Sequence, residues 1–196
     1  MADEADAASP PLRRDRRLAS VVDVAAGEHS CATACGWRPI IETVTRTDTA
    51  FRVIPASREE IFAALTDADA LTAWLPPAGM TGTFDHFEAR PGGTYRLVLT
   101  YADASVGRGK ASAKSDIVEA RFVDIVPAVR VVQAVGFVSE DPAYAGTMTM
   151  TWELTPVGDA TRVEVRADHV PAGISAEDHS VGLRSSLANL ARYLER

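Results

Sequence analysis

Only two cysteines occur in the 196 residues, Cys31 and Cys35, which excludes a disulfide-stapled miniprotein. They stand four apart, neighbours if helical, but no second pair exists and His29 lies outside zinc-finger spacing. They read as free thiols in a reducing compartment, and the expected location is cytoplasmic. No apolar run approaches the ~20 residues that span a bilayer, so no integral membrane segment is expected. Basic residues are also in short supply: twenty Lys and Arg against twenty-seven Asp and Glu leave a net charge of −7. A nucleic-acid binder needs a basic face to displace counterions, so no nucleic-acid partner is expected. What is present, 46% hydrophobic and 24% charged residues, is ordinary for a globular domain.

Residues 1–46 differ from the rest. They open small and acidic, pass through a basic knot (Arg13, Arg14, Arg16, Arg17) and show no sustained apolar period. Twin arginines before an apolar stretch suggest an export signal, but Asp23 and Glu28 break that stretch and acidic residues precede the arginines. The segment is expected to be a flexible N-terminal extension, with a short helix near 15–26 as the one local alternative.

From Thr47 the pattern becomes legible. Residues 47–55 suit a strand with Phe51 and Val53 on one face. Ser57 and Glu60 form a capping box ahead of the stripe Ile61, Phe62 and Leu65. Asp67 caps a second short helix through Ala70, Leu71 and Trp74, which Pro76 and Pro77 stop. A strand at 83–88 and a turn at 90–93, with positive φ at Gly92, predict a hairpin into residues 94–101. There Tyr95, Leu97, Leu99 and Tyr101 share one face. Strands follow at 115–126 and 129–137, then a loop at 139–146. Two more strands fall at 147–155 and 161–168, joined by a turn over 156–160. Ser175 caps a last helix in which Leu183, Leu187, Leu190 and Leu194 form one apolar stripe. Such a stripe must be buried, and only the antiparallel sheet is large enough to cover it. The expected fold is therefore α+β, a curved antiparallel sheet wrapped around a long C-terminal helix, spanning residues 47–196.

Residues 51–62 (FRVIPASREEIF), 71–74 (LTAW) and 84–95 (FDHFEARPGGTY) resemble the bacterial homologues of the activator of the heat-shock protein 90 ATPase. These proteins belong to the START-like (SRPBCC) superfamily, whose fold is the helix-grip. Residues 122–127 (FVDIVP), 152–156 (WELTP) and 158–163 (GDATRV) continue the match in order up to the terminal helix. The resemblance covers about residues 47–195, and the first 46 have no counterpart in it. One position departs: Leu183 follows Gly182 where the family often carries tryptophan, so the pocket expected by resemblance changes in size or shape.

The resemblance implies a cavity between sheet and helix suited to a hydrophobic or amphipathic, lipid-like molecule. This sequence offers Tyr95, Leu97, Leu99, Met148, Met150, Trp152, Leu183 and Leu187 as lining, with Trp74 near the mouth by analogy. Methionine is adaptable and suits such a wall. Each of these residues would serve equally well as packed core. Gly182, costly inside a helix, leaves room for a ligand or a close backbone approach.

Catalytic patterns are sparse. Asp85-His86, Asp168-His169 and Asp178-His179 are adjacent pairs; on a strand, neighbours point to opposite faces, so the first two form no dyad by themselves. His179 lies one turn before Leu183 on the apolar helix face, as a ligand hydrogen-bonder, a weak general acid/base candidate, or a plain first-turn residue. Residues 107–112 miss phosphate-loop spacing, and Ser175 misses the nucleophile elbow and serves better as a cap. No metal cluster is legible, and neither metal nor cofactor is expected.

Three functions remain. The leading one is non-catalytic binding of a hydrophobic small molecule or lipid. The second is a polyketide cyclase or aromatase, with His179, Tyr95, Tyr101 and Arg184 as its few polar groups. The third, implied by the resemblance alone, is regulation of a heat-shock protein 90 type chaperone ATPase, with that chaperone as partner. Fold likeness cannot choose among them.

Overall fold

A computed structural model describes residues 46–103 and 115–195. The expectations for residues 1–45, including Cys31 and Cys35, and for the glycine-rich stretch 107–112 lie outside the described residues.

Strand β1 (Thr47–Ile54) leads into two short helices, α1 (Arg58–Thr66) and α2 (Ala68–Trp74). The capping box forms: the Glu60 amide donates to Ser57 Oγ at 3.2 Å, and the Ser57 amide donates to Glu60 Oε2 at 2.8 Å. Hydrogen bonds from the Ser57 hydroxyl and amide hold the Glu60 carboxyl below its usual range. Asp67 repeats the device for α2, its Oδ1 accepting from the Ala70 amide at 2.8 Å. Six strands follow: β2 (Met80–Phe87), β3 (Thr94–Tyr101), β4 (Ser115–Val126), β5 (Arg130–Phe137), β6 (Met148–Val157) and β7 (Ala160–Asp168). Helix α3 (Ala176–Leu194) closes the domain, with Ser175 Oγ accepting from the Asp178 amide.

The seven strands make one antiparallel sheet in the order β1-β7-β6-β5-β4-β3-β2. Strands β2 to β7 form a meander of sequential neighbours, while β1 pairs with β7, so α1 and α2 carry the chain from one edge to the other. Register shifts between Phe84 and His86 and between Phe122 and Asp124 mark irregularities of the bulge type, which increase local twist and curl the sheet. The concave face collects the inward residues of each strand. Val163, Val165 and Ala167 of β7 are fully buried there, and Leu183, Leu187, Leu190 and Ala191 of α3 close over them. This is the helix-grip arrangement.

Three details differ from the sequence reading. Strand β2 starts at Met80 rather than 83, because Met80 and Thr81 pair with Tyr101 and Thr100. Gly82 permits that run: a Cβ there would come within 3.0 Å of Pro76 Cγ. Strand β6 runs through Pro156, expected in a turn, since Pro156 and Val157 pair with Thr161 and Ala160. The β5 ladder ends at Glu153, so the missing proline N–H removes no bond from it. Phe51 and Val53 do share a face, but it is the outer one; they are 62% and 48% exposed, with the Arg162 guanidinium 4.2 Å from the Phe51 ring centroid.

Among the described residues no helix is long and apolar enough to cross a membrane.

The grip of α3 on the sheet gives a direct prediction. Leu190 is fully buried, so Leu190→Ala is expected to lower unfolding free energy by about 2–5 kcal/mol in urea titrations. Val181→Ala on the same helix, at a position 55% exposed, is expected to change it by less than about 0.5 kcal/mol.

Candidate functional site

The sheet does not close fully on α3. Between them lies a cavity of about 210 Å³, walled mostly by apolar side chains. The sheet supplies Tyr95, Leu97 and Leu99 from β3, and Met148, Met150 and Trp152 from β6. Alternation explains the spacing, since residues two apart on a strand share a face. From α3 come His179, Gly182, Leu183 and Ser186, again one face at helical spacing. Leu65, Leu71, Trp74, Leu75 and Pro77 close the end formed by α1, α2 and the segment after them.

Nine of the ten residues read from the sequence as site candidates thus border one space: Trp74, Tyr95, Leu97, Leu99, Met148, Met150, Trp152, His179 and Leu183. The tenth, Leu187, is not among the lining residues. One turn beyond Leu183, it is 1% exposed and belongs to the packed interface between helix and sheet. Trp74 also departs from expectation. It is not at the mouth but 1% exposed, because its indole N–H donates to the Ala64 carbonyl at 2.9 Å and can leave water without losing a partner. Its ring meets Trp152 edge to face, at 5.7 Å between centroids and 82°.

His179 is held by a residue that no local pattern pointed to. Its Nδ1 lies 2.7 Å from Asp48 Oδ2, and the two side chains are only 12% and 14% exposed. A carboxylate oxygen only accepts, so Nδ1 carries a proton, and His179 itself lines the cavity. Asp48 is fixed in turn by Arg46, whose Nε donates to the same oxygen at 3.1 Å while Nη1 donates to the Ile174 carbonyl at 2.6 Å. Arg46 Nη2 also lies 3.0 Å from that oxygen, a charge contact without hydrogen-bond alignment. The three adjacent Asp-His pairs make no dyads. Asp85 pairs with Arg96, Asp168 with Thr47 and Arg166, and Asp178 with Ser175.

Two other polar groups lie on the sheet side, Tyr95 and Gln133, 5% and 7% exposed. Burial pushes the Tyr95 hydroxyl above the ordinary tyrosine range, so it stays protonated. Sequence reading missed Gln133, though a signal existed: it takes the inward parity between Val131 and Val135 on β5, where an apolar residue belongs. Val118, Val135 and Phe137 were missed for a different reason, since alternation names a face but not which part of it stays unfilled. Tyr101 and Arg184 do not border the cavity. Tyr101 hydrogen-bonds Asp116, and burial and that carboxylate raise its hydroxyl pKa; Arg184 borders an outer hollow with Phe51 and Arg162. Among the described residues no group of three His, Cys, Asp or Glu could hold a metal ion.

Residues 55–195 match the family profile described as activator of Hsp90 ATPase homolog 1-like protein. Among solved structures, protein CV1439 from Chromobacterium violaceum is 27% identical, with a TM-score of 0.67 over 76% of this chain and 97% of that one. Mll3558 from Rhizobium loti is 28% identical, with a TM-score of 0.56 over 76% and 97%. DynU16, a protein in the dynemicin biosynthetic locus, is 22% identical with a TM-score of 0.54, over 76% of this chain and 47% of that one. That last likeness reaches the fold alone. A search of curated proteins finds no match.

Gly182 gives a test of the cavity's geometry. It sits inside α3, and a Cβ built on it meets nothing within 4 Å. Gly182→Ala is therefore expected to stabilise the protein by about 0.5–1 kcal/mol, read as a raised thermal midpoint. A lowered midpoint would mean that this part of the wall is already filled.

Proposed function

The chain belongs to the activator of Hsp90 ATPase homolog 1-like family, built on a ligand-binding fold, and from that premise we propose that it binds a hydrophobic or amphipathic small molecule without transforming it. The observation that carries this reading is the cavity of about 210 Å³ under α3, with tryptophan, methionine and leucine around it. An apolar cavity of ~150 Å³ holds benzene, so this one suits a one- or two-ring or short-chain molecule. It is too small to enclose a two-chain lipid. The two methionines adapt the wall to the ligand's outline, and Trp74 and Trp152 offer flat faces and edges to a ring.

One observation favours a second reading, an enzyme of the polyketide cyclase type. The Asp48–His179 pair holds Nδ1 of an imidazole that lines the cavity, an arrangement that a general base at Nε2 requires. The likeness to DynU16 is compatible with it at the level of fold.

Native mass spectrometry of the purified chain separates these readings. The expected result is a non-covalently held organic molecule, released on denaturation. Met150→Trp, which extends a flat ring into the cavity, is expected to lose it, and Met150→Leu to keep it. A chain that carries no molecule and shows no tryptophan-fluorescence response to small aromatic compounds would sink the binding reading. For the enzyme, turnover of a poly-β-keto substrate is expected to fall at least about 100-fold in His179→Gln.

A further inference from the structure

The cavity is apolar by area, yet its sheet side holds two buried polar groups that the fold leaves unused. Neither the Tyr95 hydroxyl nor the Gln133 carboxamide has a hydrogen-bond partner among the described residues. Both residues are more than nine-tenths buried, and both line the cavity. Among the described residues the one side-chain polar atom that is sealed and unpaired is Arg46 Nη2, so the oxygen and nitrogen atoms of Tyr95 and Gln133, which line the cavity, are not sealed off.

Register places the two residues on one face of the sheet, two strands and two positions apart. Tyr95 of β3 stands opposite Ala120 of β4, and Ala120 opposite Val135 of β5, two residues along from Gln133. On β4 between them stand Ala120, with only a methyl group, and Phe122, which faces Gln133 and whose ring lies 5.6 Å from that of Tyr95. The rung of Gln133 continues to the other edge: Gln133 faces Met150, Met150 faces Ala167, and Ala167 faces Asp48, the residue that holds His179. The concave face thus carries hydrogen-bonding groups near its middle and at the β1 edge, separated by a methionine and an alanine. No lining residue is lysine or arginine.

We propose that the natural ligand is a neutral, oxygenated apolar molecule whose hydroxyl or carbonyl oxygen is recognised by Gln133 and Tyr95. This rests on the binding reading above and narrows its ligand class. A carbonyl oxygen accepts from the tyrosine hydroxyl and from the glutamine N–H together; a hydroxyl accepts from one and donates to the other. A pure hydrocarbon leaves both groups buried and unpaired, which disfavours it. A carboxylate meets no cation on the sheet side, which disfavours it too. Phenols, aryl ketones and small terpenoid alcohols or ketones meet both requirements.

The test uses a matched pair of probes, 4-propylphenol and 4-propyltoluene, which differ by a hydroxyl in place of a methyl. Dissociation constants are measured by calorimetry for the wild-type chain and for Gln133→Met/Tyr95→Phe. Comparing the phenol-to-hydrocarbon affinity ratio between the two proteins cancels the difference in water solubility of the probes. The ratio is expected to fall about tenfold or more in the variant, with the hydrocarbon binding at least as well as before. Retained hydrocarbon affinity shows that the variant is folded with its cavity intact. An unchanged ratio overturns the inference and leaves small-molecule binding standing. If neither probe binds the wild-type chain, the binding reading fails and takes the inference with it.

Discussion

One apolar stripe on one helix governs this structure. Leu183, Leu187 and Leu190 would each forfeit about 1.5–3 kcal/mol if left in water. The only surface long enough to cover them is the concave face of the sheet. That face exists because β2 to β7 run as a meander and because register shifts in β2 and β4 bend it. A sheet curled this way matches the helix along part of its length only. Contact is tight at Leu187 and Leu190, and it opens toward His179, Gly182 and Leu183. The cavity is the geometric remainder of a straight cylinder laid in a twisted trough.

That origin explains what the sequence could and could not reveal. Elements were legible because period and punctuation agree: Ser57 with Glu60, Asp67, Gly92 and Ser175 each sit where a cap or a turn requires them. Strand faces were legible because alternation in β3 and β6 is clean. The depth of each residue along the trough was not. Leu183 and Leu187 have identical chemistry and share a helix face, yet one borders free space and the other is packed. The difference depends on sheet curvature, which arises from irregularities that no local composition announces. Asp48 was invisible for a related reason: it reaches His179 across 131 residues of chain, through the pairing of β1 with β7.

The polar groups follow a consistent arrangement. Away from the cavity the buried Thr161 is paired, its hydroxyl donating to the Ala56 carbonyl at 2.8 Å. Trp74, at the wall, is paired to Ala64. Tyr95 and Gln133 are the contrast, and their position on the open part of the face makes the contrast informative. His179 lies between these cases, a lining residue with one ring nitrogen committed to Asp48. The fold thus anchors its acid–imidazole pair on one edge and keeps hydrogen-bonding capacity uncommitted near the centre.

Unfilled apolar space costs stability, about 24 cal/mol per Å³ where a substitution leaves an enclosed cavity, and this half-open one carries part of such a cost. Ordinary domains are stable by only about 5–15 kcal/mol, so even part of it matters. Simple substitutions would shrink it: larger side chains at Val118 or Val135, or an alanine at Gly182. A scaffold with no use for the space would gain by any of them, since such stabilising changes are easy to reach. The residues present instead preserve the opening and equip it with adaptable methionines, two indole rings and unpaired hydrogen-bonding groups. A bound molecule would restore the lost contacts and satisfy those groups at once. On the binding reading proposed above, stability and binding are linked, and a ligand would complete the core that α3 and the sheet leave unfinished.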